Sequence, residues 1–163
     1  MIRAIAAVSL VLLLAGCSSA PTPDDGAFAL TVGDCFDLSD ESSVDAVPVL
    51  PCEEPHDFEA YASLRMDAAA YPGETDTVAE ADARCGQAFE DYVGIPLQDA
   101  YDQGLYDYTS FYPSAESWAL GDREILCLVY ATDAEGGVKQ LSESVKKTRD
   151  GAPRVPRTRT ADG

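Results

Sequence analysis

The chain predicts an α+β domain: a mostly antiparallel sheet with one long helix packed on a face, braced by two disulfides. Three observations carry this. Asp57 to Arg65 and Glu124 to Ala131 read as strands. Val78 to Val93 repeats its apolar residues at helical spacing. Four cysteines remain once a fifth is assigned to an anchor.

The first segment, residues 1–16, predicts an export signal rather than a part of the fold. Arg3 supplies its positive charge, and the apolar run from Ala4 to Ala15 is shorter than the roughly 20 residues of a permanent span. Leu14-Ala15-Gly16-Cys17 then forms a lipobox. Small residues before the cysteine suit a peptidase that reads an extended chain, and the Cys17 thiolate is the atom that receives diacylglycerol. Each buried lipid CH2 contributes about 0.8 kcal/mol, so two or three acyl chains hold a soluble domain at a bilayer. The expectation is therefore an extracytoplasmic protein, anchored by lipid on Cys17 to the outer face of the cell membrane. Residues 17–26, rich in Ser, Pro, Asp and Gly, read as a flexible spacer.

The folded domain is expected over residues 27–145. Leu30 to Leu38 reads as a strand interrupted at Gly33, and Val44 to Leu50 as a second short strand ending at Pro51-Cys52. Asp57 to Arg65 alternates, with Phe58, Ala60, Ala62 and Leu64 on one face. Asp57, Glu59, Tyr61, Ser63 and Arg65 share the other, taken as solvated. Tyr71-Pro72-Gly73 makes a turn, and Thr77-Val78-Ala79-Glu80 fits a capping box for the helix. Val78, Ala81, Cys85, Ala88, Phe89 and Tyr92 form its apolar stripe, and Gly94 with Pro96 stops it. The second half of the tyrosine-rich stretch Pro96 to Tyr112 reads as a strand. Ser114 caps a short helical turn carrying Trp118, which ends near Gly121. Glu124 to Ala131 is the strongest strand, with Ile125, Cys127 and Val129 on one face and Leu126, Leu128 and Tyr130 on the other. Gly136-Gly137 turns the chain, and Leu141 to Val145 returns as a final strand.

Cys35, Cys52, Cys85 and Cys127, an even number outside the membrane, imply two disulfides. Cys85 lies on the helical stripe and Cys127 in a nearly all-apolar strand, positions that a helix on a sheet brings together. Cys35 and Cys52 flank the first two strands and form the other bridge, whose short loop is worth about 3 kcal/mol of chain entropy. Zinc is the rival for these cysteines, but no Cys-x-x-Cys pair exists and His56 is the only histidine, so no metal or other cofactor is expected.

Charge is uneven. Between Cys17 and Val145 there are 27 Asp and Glu against Arg65, Arg84, Arg123 and Lys139, a net of −23. Residues 146–163 carry six Lys and Arg against two Asp, a net of +4. An acidic body repels nucleic acid, which excludes that partner class, and it also repels anionic lipid and wall polymers. The tail reads as a basic disordered end; the sharper reading gives it an anionic lipid, a wall polymer or an acidic partner.

A series of spaced features then falls into a pattern: Val32-Gly33-Asp34-Cys35-Phe36, Pro51-Cys52-x-x-Pro55-His56-Asp57-x-Glu59, Cys85 followed by Tyr92-Val93-Gly94, and Pro113-Ser114-x-x-Ser117-Trp118-x-x-Gly121-Asp122-Arg123 before Cys127. In this order, over Leu30 to Val145, the series resembles the septum-formation family of actinobacterial lipoproteins and membrane-anchored proteins. The resemblance implies a role at the division site in the cell envelope. It carries over no catalytic residue.

Three groups are candidates for binding. His56, beside Asp57 and Glu59, has the composition of an acid–base or metal site. The plainer reading is an imidazole that hydrogen-bonds backbone at the turn after Cys52 and orients the next strand. Trp118 and Arg123 read as a structural corner, with Arg123 pairing with Asp122 or reaching Asp57. Tyr106 and Tyr108, with Tyr101 and Tyr112, offer apolar area with polar tips for a partner, or packing under a long loop. A nucleophile elbow of the Gly-x-Ser-x-Gly type and a second histidine are missing. The leading expectation is a non-catalytic interaction module of the envelope whose partner is an unknown envelope protein or wall component. The alternative is an envelope enzyme or metal-dependent binder centred on His56. The exported part is short for a two-lobed solute-binding protein.

Overall fold

The computed structural model describes residues 30–38 and 47–155. Cys17, the signal and the spacer lie outside the described residues. Among the described residues nine elements follow in order: β1 (Cys35–Phe36), β2 (Val49–Leu50), β3 (Phe58–Arg65), α1 (Glu74–Val93), α2 (Leu97–Asp102), β4 (Tyr106–Phe111), α3 (Ala115–Ala119), β5 (Glu124–Thr132) and β6 (Val138–Lys139). The sheet order is β2-β1-β3-β5-β4, with β6 also on β5, and all its pairings are antiparallel. The expected fold class holds: helices pack on an antiparallel sheet, and disulfides join Cys35 to Cys52 and Cys85 to Cys127. No helix among the described residues is long and apolar enough to cross a membrane.

β5 is apolar on both faces because it is covered on both. Ile125, Cys127, Val129 and Ala131 join Cys85 and Phe89 of α1 in the larger core. Leu126 and Leu128 join Leu30, Phe36, Val47, Phe58 and Ala60 in a smaller one. The Cys85–Cys127 bridge ties the helix to this central strand.

The helix begins one turn earlier than its capping box predicts. Gly73 is the N-cap without a side-chain cap, and the Thr77 hydroxyl sits inside the first turn, donating to Gly73 O at 2.9 Å. Glu74 and Asp76 in that turn favour the positive end of the helix dipole. The buried stripe is Thr77, Ala81, Cys85, Phe89 and Tyr92, whereas Val78 points out at 39% exposure. Pro96 does not only stop α1; it is also the N-cap residue of α2, a helix that the tyrosine-rich stretch does not predict.

β3 departs from a one-sided alternation. Phe58, Glu59, Ala60 and Tyr61 are all buried, since Phe58 and Ala60 face the smaller core and Tyr61 the larger. A register shift between Ala60 and Ala62 then lets Ala62 and Leu64 pack on the larger core as well. Glu59 and Tyr61 are thus not on a solvated face. Of the first two predicted strands only short pieces pair, and residues 39–46 lie outside the description. Leu141 to Val145 forms a single bridge, His56 to Leu141, rather than a strand; Leu141 and Val145 are buried, and the Val145 N–H is taken by a side chain.

The chain stays on the body past Val145. The Lys147 N–H donates to Tyr92 O at 2.8 Å, and a turn closes between Thr148 and Ala152. Arg154 Nε then donates back to Lys146 O at 3.0 Å. Residues 156–163 are outside the described residues.

Candidate functional site

The first predicted site is brought together by β1, β3 and the segment after β6. The turn following Cys52 delivers His56, whose backbone pairs in both directions with Leu141, and β3 delivers Glu59 three residues later. Both side chains are fully buried. His56 Nδ1 lies 2.8 Å from Glu54 O. A carbonyl only accepts, so Nδ1 carries the proton of that bond. This is the backbone-orienting role expected of His56. Its Nε2 is buried without a hydrogen-bond partner among the described residues.

Glu59 is not on the solvated face to which period-two alternation assigns it. Its Oε1 accepts from Tyr92 OH and from Ser144 Oγ, both at 2.6 Å, and Oε2 accepts from Val145 N–H at 2.7 Å. Burial, and then the hydrogen bond to the neighbouring Glu59 carboxylate, push the Tyr92 hydroxyl far above the usual tyrosine range, so it stays a proton donor. One carboxylate therefore joins β3, α1 and the C-terminal segment. Local periodicity assigns it only to the face opposite Phe58; its three donors come from positions 33 to 86 residues away. A nitrogen of His56, the Cys35 sulfur and a Glu59 oxygen lie within 4.8 Å of one another, although that sulfur is bonded to Cys52.

Asp57 sits at the rim, half-buried, its N–H donating to Asp37 Oδ1 at 2.8 Å. Partial burial, and then the Asp37 charge, raise its carboxyl above the ordinary value.

Trp118 and Arg123 form the expected corner and do not join His56. The Ser114 and Ser117 side chains complete a reciprocal capping box around α3, and Ser117 Oγ donates to Asp122 Oδ2 at 2.9 Å. The Arg123 guanidinium lies 3.6 Å from the centre of the Trp118 ring and donates to Trp118 O at 2.8 Å. It also donates to the Asp122 backbone carbonyl, so it is committed to tryptophan and to Asp122 rather than to Asp57.

The tyrosines separate. Tyr106 is buried in the larger core and donates to Arg154 O at 2.6 Å, so it belongs to the interior. Tyr108 is half-buried against Phe89 and donates to Asp82 Oδ1 at 2.6 Å. Burial, and then Asp82, lift its hydroxyl well above the usual range. Tyr101, at 64% exposure, and Tyr112, at 37%, are the members with ring area facing solvent.

Comparison with curated proteins and with solved structures finds no match. A family model described as septum formation matches residues 32–159, a span that contains both disulfides, His56, Glu59 and the Trp118 corner. It also runs past Val145 through the segment that closes over Tyr92. The chain belongs to the septum-formation family.

Proposed function

We propose that this protein is a lipid-anchored, non-catalytic interaction module of the cell envelope that acts in septum formation. Family membership over residues 32–159 is the observation that carries the septal role. The anchor rests on the lipobox at Cys17. The non-catalytic reading is supported by how the candidate polar groups are spent. His56 Nδ1 is on Glu54, Glu59 is on three donors, and Arg123 is on Trp118. Groups committed to holding a fold are poor acid–base catalysts. The partner meets a strongly acidic surface, which favours a cationic or neutral envelope protein over anionic lipid or polymer.

The test combines crosslinking in intact dividing cells with imaging of a fluorescent fusion. Enrichment at the septum, with one envelope component captured there, is expected. Uniform distribution together with normal septa in a deletion strain would count against the proposal. For the anchor, incorporation of a labelled fatty acid is expected in the natural chain and lost in Cys17→Ala; labelling of that variant would refute it. One observation favours the second reading, a metal-dependent binder centred on His56: the buried, unpartnered Nε2.

A further inference from the structure

We infer that Cys35, Cys52, His56 and Glu59 form a zinc-class site when the Cys35–Cys52 bond is open, so that a disulfide and a thiophilic divalent cation are alternative occupants of one place. The inference deepens the second reading above and is independent of septal localisation, which tests the interaction module.

The geometry starts with the imidazole. Its Nδ1–H is held by Glu54 O, which fixes the ring and leaves Nε2 as the coordinating nitrogen. That nitrogen is wholly buried and has no hydrogen-bond partner among the described residues. An imidazole anchored through Nδ1 to a backbone carbonyl, with Nε2 open, has the arrangement that orients metal-binding histidines.

Glu59 supplies the second open position. A carboxylate has about four lone-pair sites. Two on Oε1 and one on Oε2 are taken, which leaves one on Oε2. The three donors also fix the orientation of the carboxylate.

The sulfurs complete the set. One ligand atom each from Cys35, His56 and Glu59 already lies within 4.8 Å of the others, whereas the Cys52 sulfur, bonded to Cys35, stands outside that group. Ligand atoms of a tetrahedral zinc ion lie roughly 3.3–3.8 Å apart. The site must therefore contract by up to about 1–1.5 Å around His56 and Glu59, while the two sulfurs separate and Cys52 swings in by rotation about the Cα–Cβ bonds. The cysteine Cα atoms, 5.3 Å apart, permit that. Two thiolates, one imidazole and one carboxylate suit zinc rather than magnesium or calcium.

Chemically, an external dithiol reduces the Cys35–Cys52 bond to two thiols and is itself oxidised to a disulfide. Both thiols then release their protons as the cation binds the sulfurs. Cys52 is partly exposed, whereas Cys85 and Cys127 are fully buried, so a mild dithiol meets Cys52 first.

The test uses the full chain, mildly reduced and freed of reductant, with Co²⁺ as a spectroscopic stand-in for Zn²⁺. One equivalent of Co²⁺ with a tetrahedral thiolate spectrum, displaced by Zn²⁺, is expected in the reduced chain and not in the oxidised one. His56→Gln should weaken Co²⁺ binding about tenfold or more. The absence of a thiolate-bound Co²⁺ signal, or equal affinity in folded His56→Gln, overturns the inference. A second measurement needs no variant. With an added small-molecule disulfide as the oxidant, itself reduced to two thiols, return of the Cys35–Cys52 bond, followed by peptide mapping, should be about tenfold slower with one equivalent of Zn²⁺ than with Mg²⁺; equal rates overturn it.

Discussion

At the scale of single residues, Glu59 and Asp57 show how two carboxylates two residues apart acquire opposite roles. Glu59 is enclosed and accepts three hydrogen bonds, so replacing it removes bonds that nothing else supplies. Glu59→Gln puts an amide donor where only acceptors are wanted, and is expected to cost about 2–3 kcal/mol. Urea unfolding checks the magnitude, and faster amide exchange at Val145 and Lys147 checks the location. Asp57 is the reverse case. Its carboxyl is raised above the ordinary value of 3.8 by burial and by Asp37, so the folded state holds that proton more tightly than the unfolded chain. The associated stability is present in acid and is lost as pH rises through the carboxyl range. Asp57→Asn should therefore unfold at a slightly higher urea concentration at neutral pH, by ~0.5 kcal/mol or less as for surface substitutions, with the gain vanishing below pH 3.8. Of the surroundings of these two residues, only the nearness of His56 was legible from the sequence. Period-two alternation shows that Glu59 opposes Phe58, but it does not say that both faces are covered, because the covering residues lie far along the chain.

At the scale of elements, the sequence was most readable where one period ran unbroken. β5 and the body of α1 follow from their apolar spacing, and the Cys85–Cys127 bridge follows from placing those two patterns face to face. Replacing both cysteines of that bridge with alanine is expected to cost about 4 kcal/mol by loop entropy across 42 residues, read as a loss of urea midpoint. The start of α1 was not readable, since Thr77-Val78-Ala79-Glu80 is a good capping signature one turn inside a helix that begins elsewhere. Gly73 has φ 98° and ψ 155°, a conformation nearly confined to glycine, and a Cβ there would meet no neighbouring atom. Its role is thus purely conformational. Gly73→Ser offers a side chain that normally improves an N-cap, yet it should destabilise the domain by about 1–3 kcal/mol, because the serine must abandon either that backbone conformation or its own preference. A stabilising Gly73→Ser in thermal unfolding would show that capping outweighs strain at this end.

At the scale of the whole molecule, charge and topology meet in the segment after Val145. Composition alone makes residues 146–163 a solvated basic end, because a run of Lys and Arg with few apolar residues has nothing of its own to bury. The body changes that. It carries a net charge of −23 over residues 17–145, and it presents Tyr92 with a free backbone carbonyl for Lys147 and a ring for Lys146 Nζ, 5.5 Å away. The buried Tyr106 hydroxyl needs an acceptor, and Arg154 O provides it. Two kinds of force therefore hold the segment: backbone hydrogen bonds, which salt leaves alone, and the attraction of opposite charges, which salt screens over a length of about 8 Å at physiological strength. Ending the chain at Val145 removes both. The shortened protein should lose about 1–3 kcal/mol at low salt, chiefly through the unpaired Tyr106 hydroxyl and the uncovered Tyr92, and added salt should narrow the deficit without closing it. A full-length chain with Lys146, Lys147 and Arg149 changed to Gln, Arg154 and its side-chain bond to Lys146 O being kept, separates the two contributions. It keeps the backbone bonds, so its deficit against the natural chain should disappear at high salt. Urea unfolding across a salt series distinguishes the cases, and equal stability of natural and shortened chains at every salt concentration would show that the segment rests on the body without bracing it.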